Sequence, residues 1–208
     1  MSAAYEFSGW DALLRQGVGS AQQDFLDLVR STKDTKQYCA NVICGDLQTP
    51  DYVRAMLRLV VDFHRTPGDI ETGVQGRTAR ARLIGEEGRT YHVILAQEAL
   101  RTNIGGREVM RGQLARLLEL YELPGLQLGI VPDRSEQYLY PGHSFGIFDG
   151  KRVEIELYGG APTHTDPEQI NVYEKAFGLL ARSAVYGDAA EALIRLELAA
   201  LEGPDRAG

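Results

Sequence analysis

Two arginines three residues apart, Arg77 and Arg80, are the side chains in this sequence best suited to hold an anion. At i and i+3 they share one helix face, and two guanidinium forks on one face can clamp a carboxylate or another anion. The same spacing also serves structural ion pairs, with Glu98 or Glu71 as partners. Glu98 follows directly on the apolar run Val93-Ile94-Leu95-Ala96, so it is expected at the edge of a core, where a carboxylate must be paired or protonated. Arg101, Arg77 and Arg80 are its natural partners. Glu98 is then either a pocket carboxylate or general base with a raised pKa, or one half of a salt bridge holding a strand–helix corner. Gln113, at the edge of an apolar helical stripe, either lines a pocket or closes a buried hydrogen-bond network.

The remaining chemistry-bearing residues are scattered. His64, His92, His143 and His164 form no HExxH and no zinc-like spacing with cysteine. His92 opens an apolar strand and reads as a core or edge residue; His143, after Tyr140-Pro141-Gly142, reads as facing a cleft. GxSxG, GxGxxG and P-loop patterns are absent, and Gly105-Gly106 alone is a weak anion-site signal. Neither a metal nor a cofactor is expected. Cys39 and Cys44 are too few for a disulfide scaffold or a four-ligand zinc site.

These residues need elements to position them. Periodicity and capping signals predict helices near 20–37, 50–64, 69–84, 106–122, 167–185 and 188–202, and strands near 39–45, 90–96, 126–131, 143–149 and 152–158. Thr49-Pro50 places a cap before a proline at the first helical position. Asp149-Gly150 marks a hairpin. Asp69 is a candidate cap, and Thr165 with Glu168 and Asp188 with Glu191 are candidate capping boxes. The fold class is α+β: a single mixed sheet of about five strands with an antiparallel hairpin, flanked by helices, plus a C-terminal helical pair. Domain limits are an N-terminal extension over 1–19, one domain over 20–202 and a disordered tail over 203–208.

A net charge of −7 argues against whole-molecule nucleic-acid binding. No apolar run approaches the roughly 20 residues that span a bilayer. The N-terminus lacks a signal-peptide pattern, so a cytoplasmic location is expected.

The segment LAQEALRTNIGGREVMRGQLARLLEL, from Leu95 to Leu120, resembles the domain that follows the helix-turn-helix in actinomycete Xre-type, antitoxin-like transcriptional regulators, and the likeness extends over roughly 20–200. That family's motif PGLLQT-x-x-YA reads CGDLQTPDYVRA here, with Gly45, Leu47, Gln48, Thr49 and Tyr52 matching. Cys44 stands for its proline and Asp46 for a leucine. A thiol and a carboxylate in a normally apolar turn are either an acquired site or solvent-facing drift. The family's R-x-x-R-Q motif is met by Arg77 and Arg80, with Ala81 in place of glutamine. The compact helix-turn-helix pattern is missing ahead of Val42. The chain therefore reads as a stand-alone version or a piece of a regulator, with Met1 and the tail favouring the former.

The resemblance implies a sensing or interaction domain that binds a small molecule or a small toxin-like partner protein, with no direct nucleic-acid or membrane contact. Gln48, Tyr52, Arg77, Arg80, Glu98, Arg101 and Gln113 are the expected ligand-binding set. The alternative is a cofactor-free enzyme of specialised metabolism on the same fold, working by acid–base or shape catalysis, with Glu98, Asp46, His92 and Cys44 as its groups. A third option is homodimerisation through the seam Ile170, Tyr173, Phe177, Leu180 and Ala184, whose competing role is packing on the chain's own sheet.

Overall fold

The computed structural model describes residues 5–201. Its centre is a seven-stranded mixed sheet made of β1 (Tyr5–Gly9), β2 (Asp34–Cys39), β3 (Thr90–Ala96), β4 (Leu126–Val131), β5 (Phe145–Phe148), β6 (Arg152–Ile155) and β7 (Gly160–His164). The order is β1-β7-β6-β5-β2-β3-β4. β2, β3 and β4 are parallel, and β2 meets β5 in antiparallel register, Gln37 opposite Gly146. Among the described residues, seven α-helices flank the sheet: α1 (Trp10–Leu13), α2 (Val18–Ser31), α3 (Pro50–His64), α4 (Ile70–Ala81), α5 (Arg107–Leu120), α6 (Pro167–Ser183) and α7 (Asp188–Ala200). The expected α+β class, with a mixed sheet, flanking helices and a C-terminal helical pair, is what the chain adopts.

Strand alternation divides the core. On β3, Val93 and Leu95 join Leu114, Leu117 and Ile194 under α5 and α7. Ile94, between them, joins Tyr38, Ile147, Val153, Phe177 and Leu180 under α6. A strand covered on both faces reads as a continuous apolar run. Ile170, Phe177 and Leu180 of the supposed dimer seam are thus buried against the chain's own sheet. A third cluster, Leu14, Val18, Val53, Leu57 and Val74, packs α2, α3 and α4 together.

β3 and β4 fall where the sequence places them. The Asp149-Gly150 turn has φ of 53° and 61°, the left-handed pair that a two-residue hairpin needs. Thr49 caps α3 by accepting the Tyr52 N–H at 3.3 Å. Several expectations need correction. The sheet has two strands more than about five: β1 lies in the supposed extension, and β7 (GAPTH) is masked in sequence by its glycine and proline. β1 pairs along β7 from Tyr5↔His164 to Gly9↔Gly160, and Leu14 and Val18 are buried, so residues 5–19 are part of the packed fold. The first long helix stops at Ser31, because Thr32 turns extended, and the next strand is Asp34–Cys39 rather than 39–45. Its sequence DTKQYC hides the strand because two of its long polar side chains have partners: Lys36 meets Glu174, and Gln37 meets Asp46. Neither predicted capping box forms, since Asp166 and Gly187 occupy the cap positions of α6 and α7 without side-chain caps. Asp69 holds the N-cap position of α4 as expected, but its side chain makes no cap bond; the carboxylate instead accepts the Gly19 N–H at 3.0 Å. The predicted disordered tail lies outside the described residues. No helix among the described residues is long and apolar enough to cross a membrane.

Candidate functional site

The turn between β2 and α3 is the most polar place in the interior. A short 3-10 turn, Gly45–Leu47, carries Asp46 inward, where its residue is 1% exposed. α4 delivers Arg80, 4% exposed, and its Nε donates to Asp46 Oδ1 at 2.9 Å. Gln37 on β2 donates from Nε2 to Asp46 Oδ2 at 2.9 Å. The carboxylate therefore has a cation on one oxygen and an amide donor on the other, which is what a buried charge requires. The Phe25 ring of α2 lies 4.6 Å from the Arg80 guanidinium carbon, close enough for a cation–π contact. A Cβ on Gly45 would sit 2.9 Å from Arg80 Nη2, so a larger residue there would push the guanidinium aside.

One helical turn earlier, Arg77 is held differently. Its Nε donates to Gln22 Oε1 at 2.9 Å and its Nη1 to Gln48 Oε1 at 2.7 Å. Arg80 Nη1 shares the same Gln22 oxygen at 3.0 Å. Among the described residues, both side-chain partners of Arg77 are neutral amides, and no carboxylate forms an ion pair with it. Burial, followed by the neighbouring Arg80 charge, lowers its pKa to about 10, against the opposing pull of Glu156, Asp46 and Tyr52. Of the two clustered arginines, only Arg80 is bonded to a carboxylate.

The QT motif forms the frame of this network. Gln48 Nε2 donates to the Ile43 carbonyl at 2.7 Å, and the Ile43 N–H donates to the fully buried Tyr52 hydroxyl at 3.3 Å. Burial raises the Tyr52 pKa. Gln113, with no exposed surface, accepts the Thr49 N–H at 2.7 Å and donates to the Leu47 carbonyl at 2.9 Å. It is the hydrogen-bond bracket of the two roles foreseen, tying α5 to the turn.

Gln48, Tyr52, Arg77, Arg80, Gln113 and Asp46 are therefore gathered around one turn. The other candidates are elsewhere. Glu98 is exposed rather than buried, because the 3-10 turn Gln97–Leu100 points it outward while Ala99 and Leu100 face the core. None of the expected arginines pairs with it: Arg101 bridges to Glu197 at 2.8 Å and to Asp133, and Glu71 is taken by Arg54. His92 lies on the α6 side of the sheet, its Nε2 2.9 Å from the Tyr186 hydroxyl and its ring against Phe177. Burial, then the Lys36 charge, lowers its pKa. His143, though exposed, meets the Tyr173 hydroxyl at 3.1 Å. Cys44 is not a free thiol but is joined to Cys39 in a disulfide, which removes it as a nucleophile. Sequence reasoning missed Gln22, Phe25 and Gln37. The available signal was a glutamine three residues before Phe25 on one helix face, and another on a strand flanked by Lys36 and Tyr38.

The fold and this network define an α+β domain with a buried arginine–carboxylate knot at a strand-to-helix turn. Residues 22–196 match the family described as a domain of unknown function, DUF5753, and the chain belongs to that family. No curated protein matches the sequence. Among solved structures, the chain is similar to the archaeal chromatin protein TrmBL2, whose structure is described as showing a novel mode of DNA binding. The likeness has 9% identity and a TM-score of 0.45, over 90% of this chain and 54% of that one. The chain thus spans about half the length of that protein. It is also similar to NucT from Helicobacter pylori, at 12% identity and a TM-score of 0.43, over 88% of this chain and 97% of that one.

Proposed function

We propose that this chain is the ligand-binding domain of an antitoxin-like transcriptional regulator, and that its ligand is a small anion held by Arg77. The observation that carries this reading is the mismatch between two clustered guanidinium groups and one bonded carboxylate. A partly buried cation with only amide partners is held at a cost, since the burial that lowers its pKa disfavours the charged form. An arriving carboxylate or phosphate removes that cost and gains charge-assisted hydrogen bonds. Gln22 and Gln48 hold the Arg77 fork in one orientation beforehand, so little side-chain entropy is lost on binding. The catalytic reading has less to draw on: Cys44 is in a disulfide, Asp46 is engaged by Arg80 and Gln37, and Glu98 and His92 lie away from the turn.

The reading is tested by melting the protein at fixed ionic strength in inorganic phosphate, in malonate and in chloride alone. The melting temperature is expected to rise with phosphate or malonate concentration, as linkage to a native-state site requires. Identical melting in all three at millimolar anion contradicts the proposal.

A further inference from the structure

The candidate site is fastened by a covalent bond that its chemistry does not need. Cys39 ends β2, Cys44 immediately precedes Gly45-Asp46, and their sulfurs are bonded across a separation of 5 residues. The bridged segment supplies the site's second layer: the Ile43 carbonyl orients Gln48, and the Ile43 N–H meets Tyr52. Gln48 in turn holds Arg77, and Asp46 holds Arg80. A loop this short removes less closure entropy from the unfolded chain than a long one would. The bond's effect is local, on the turn. The two sulfurs also differ in access: Cys44 is 3% exposed, whereas Cys39 is only partly buried. Cys39 is therefore the more accessible of the two residues to an attacking thiolate. The sequence contains two cysteines in all, so no third thiol of this chain competes in the exchange.

We propose that Cys39–Cys44 is a thiol–disulfide exchange site that controls the arginine site, its reactant being a dithiol reductant. This rests on the reading of Arg77 as an anion holder. A thiolate of the reductant attacks Cys39 Sγ, the Cys39–Cys44 bond breaks, and Cys44 leaves as a thiolate that takes up a proton. The reductant's second thiol then attacks its own sulfur in the mixed disulfide, releasing Cys39 as a thiol and the reductant as a disulfide. Two electrons pass to the protein and the reductant is oxidised by two. In the oxidised chain the Cys44–Gln48 turn is fixed and Arg77 is preorganised. In the reduced chain residues 40–48 are released at one end, Gln48 loses its fixed orientation and anion affinity falls.

The test compares the full chain, oxidised and after treatment with dithiothreitol, by amide hydrogen exchange and by titration with inorganic phosphate. Reduction is expected to speed exchange over residues 40–48 by tenfold or more, leave β3 and α5 unchanged, and weaken phosphate binding severalfold. The Cys39→Ala/Cys44→Ala variant should match the reduced protein and ignore dithiothreitol, and reoxidation of the wild type should restore both readouts. Equal exchange over 40–48 in the two states overturns the proposal, whatever the affinities. Faster exchange with unchanged affinity overturns the control of the site. If the oxidised protein binds no phosphate, the anion reading fails, while the exchange comparison still decides whether the bond holds the turn. General unfolding on reduction, seen as accelerated exchange in β3 as well, also overturns it, since the bond would then be structural.

Discussion

Replacing Asp46 with alanine strips Arg80 of the one carboxylate that pairs with it among the described residues, in a place that water scarcely reaches. Arg80 is 4% exposed and Asp46 1%, so the guanidinium left behind keeps its charge without compensation, next to Arg77. Breaking a buried pair from one side costs about 3–5 kcal/mol. For a chain of this size that corresponds to a melting temperature lower by roughly 6–20 °C. The Gln37 amide, which donates to Asp46, loses its partner as well. The physical cause is separated from simple loss of volume by a second variant, Asp46→Leu/Arg80→Met, which removes both charges and retains apolar bulk. Such replacements of whole buried pairs are often neutral or stabilising, so the double variant is expected to be more stable than Asp46→Ala. The assay is urea unfolding followed by circular dichroism, with thermal melts alongside. A cost for Asp46→Ala below about 1 kcal/mol, the range of exposed pairs, would refute the reasoning, as would a double variant less stable than the single one.

Three further outcomes follow from the same structure. Gln113→Ala leaves the Thr49 N–H and the Leu47 carbonyl without their partner, at about 1–3 kcal/mol for each unsatisfied group, whereas Glu98→Ala should stay within about 0.5 kcal/mol because that side chain is exposed; urea midpoints of the two variants decide. His92 has a folded pKa below its ordinary value of 6.5 because of burial and Lys36. The unfolded chain therefore binds the proton first as pH falls, and stability is lost from about 6.5 downward, toward the folded pKa, with no contribution at higher pH. His143, though exposed, is shifted the same way by partial desolvation of its ring, so the His92 share is the difference between wild type and His92→Phe in stability measured from pH 7.5 to 5; identical pH profiles would remove it.

The parts of this fold that were legible in sequence are those where one physical effect dominates. β3 is a run of apolar residues buried on both faces, and its limits could be read directly. Thr49-Pro50 and Asp149-Gly150 each have a local backbone reason for their place. β2 was misplaced because its polar side chains are stabilised by groups remote in sequence: Glu174 for Lys36, and Asp46 for Gln37. β1 and β7 are short, glycine-bearing strands whose pairing with each other spans the length of the chain, so no local pattern announces it. The site was half legible. The spacing of Arg77 and Arg80 put both on one face, but the choice of Asp46 rather than Glu98 as partner depends on how α4 lies over the turn. Glu98 was misjudged because adjacency to a buried strand was read as burial, whereas one 3-10 turn suffices to reverse a side chain's direction.

The central claim is that Arg77 holds a small anion at the turn after β2. It is tested most directly by isothermal titration of the oxidised protein with inorganic phosphate and with malonate, beside Arg77→Gln and Arg77→Lys, each first shown to be folded by its melting transition. Hydrogen bonds to a charged group contribute about 1.5–3 kcal/mol, so Arg77→Gln should weaken binding by roughly 10–150-fold and Arg77→Lys, which keeps the charge but not the planar fork, should fall between. Binding of equal strength in wild type and Arg77→Gln would contradict the account, as would a wild type that takes up neither anion.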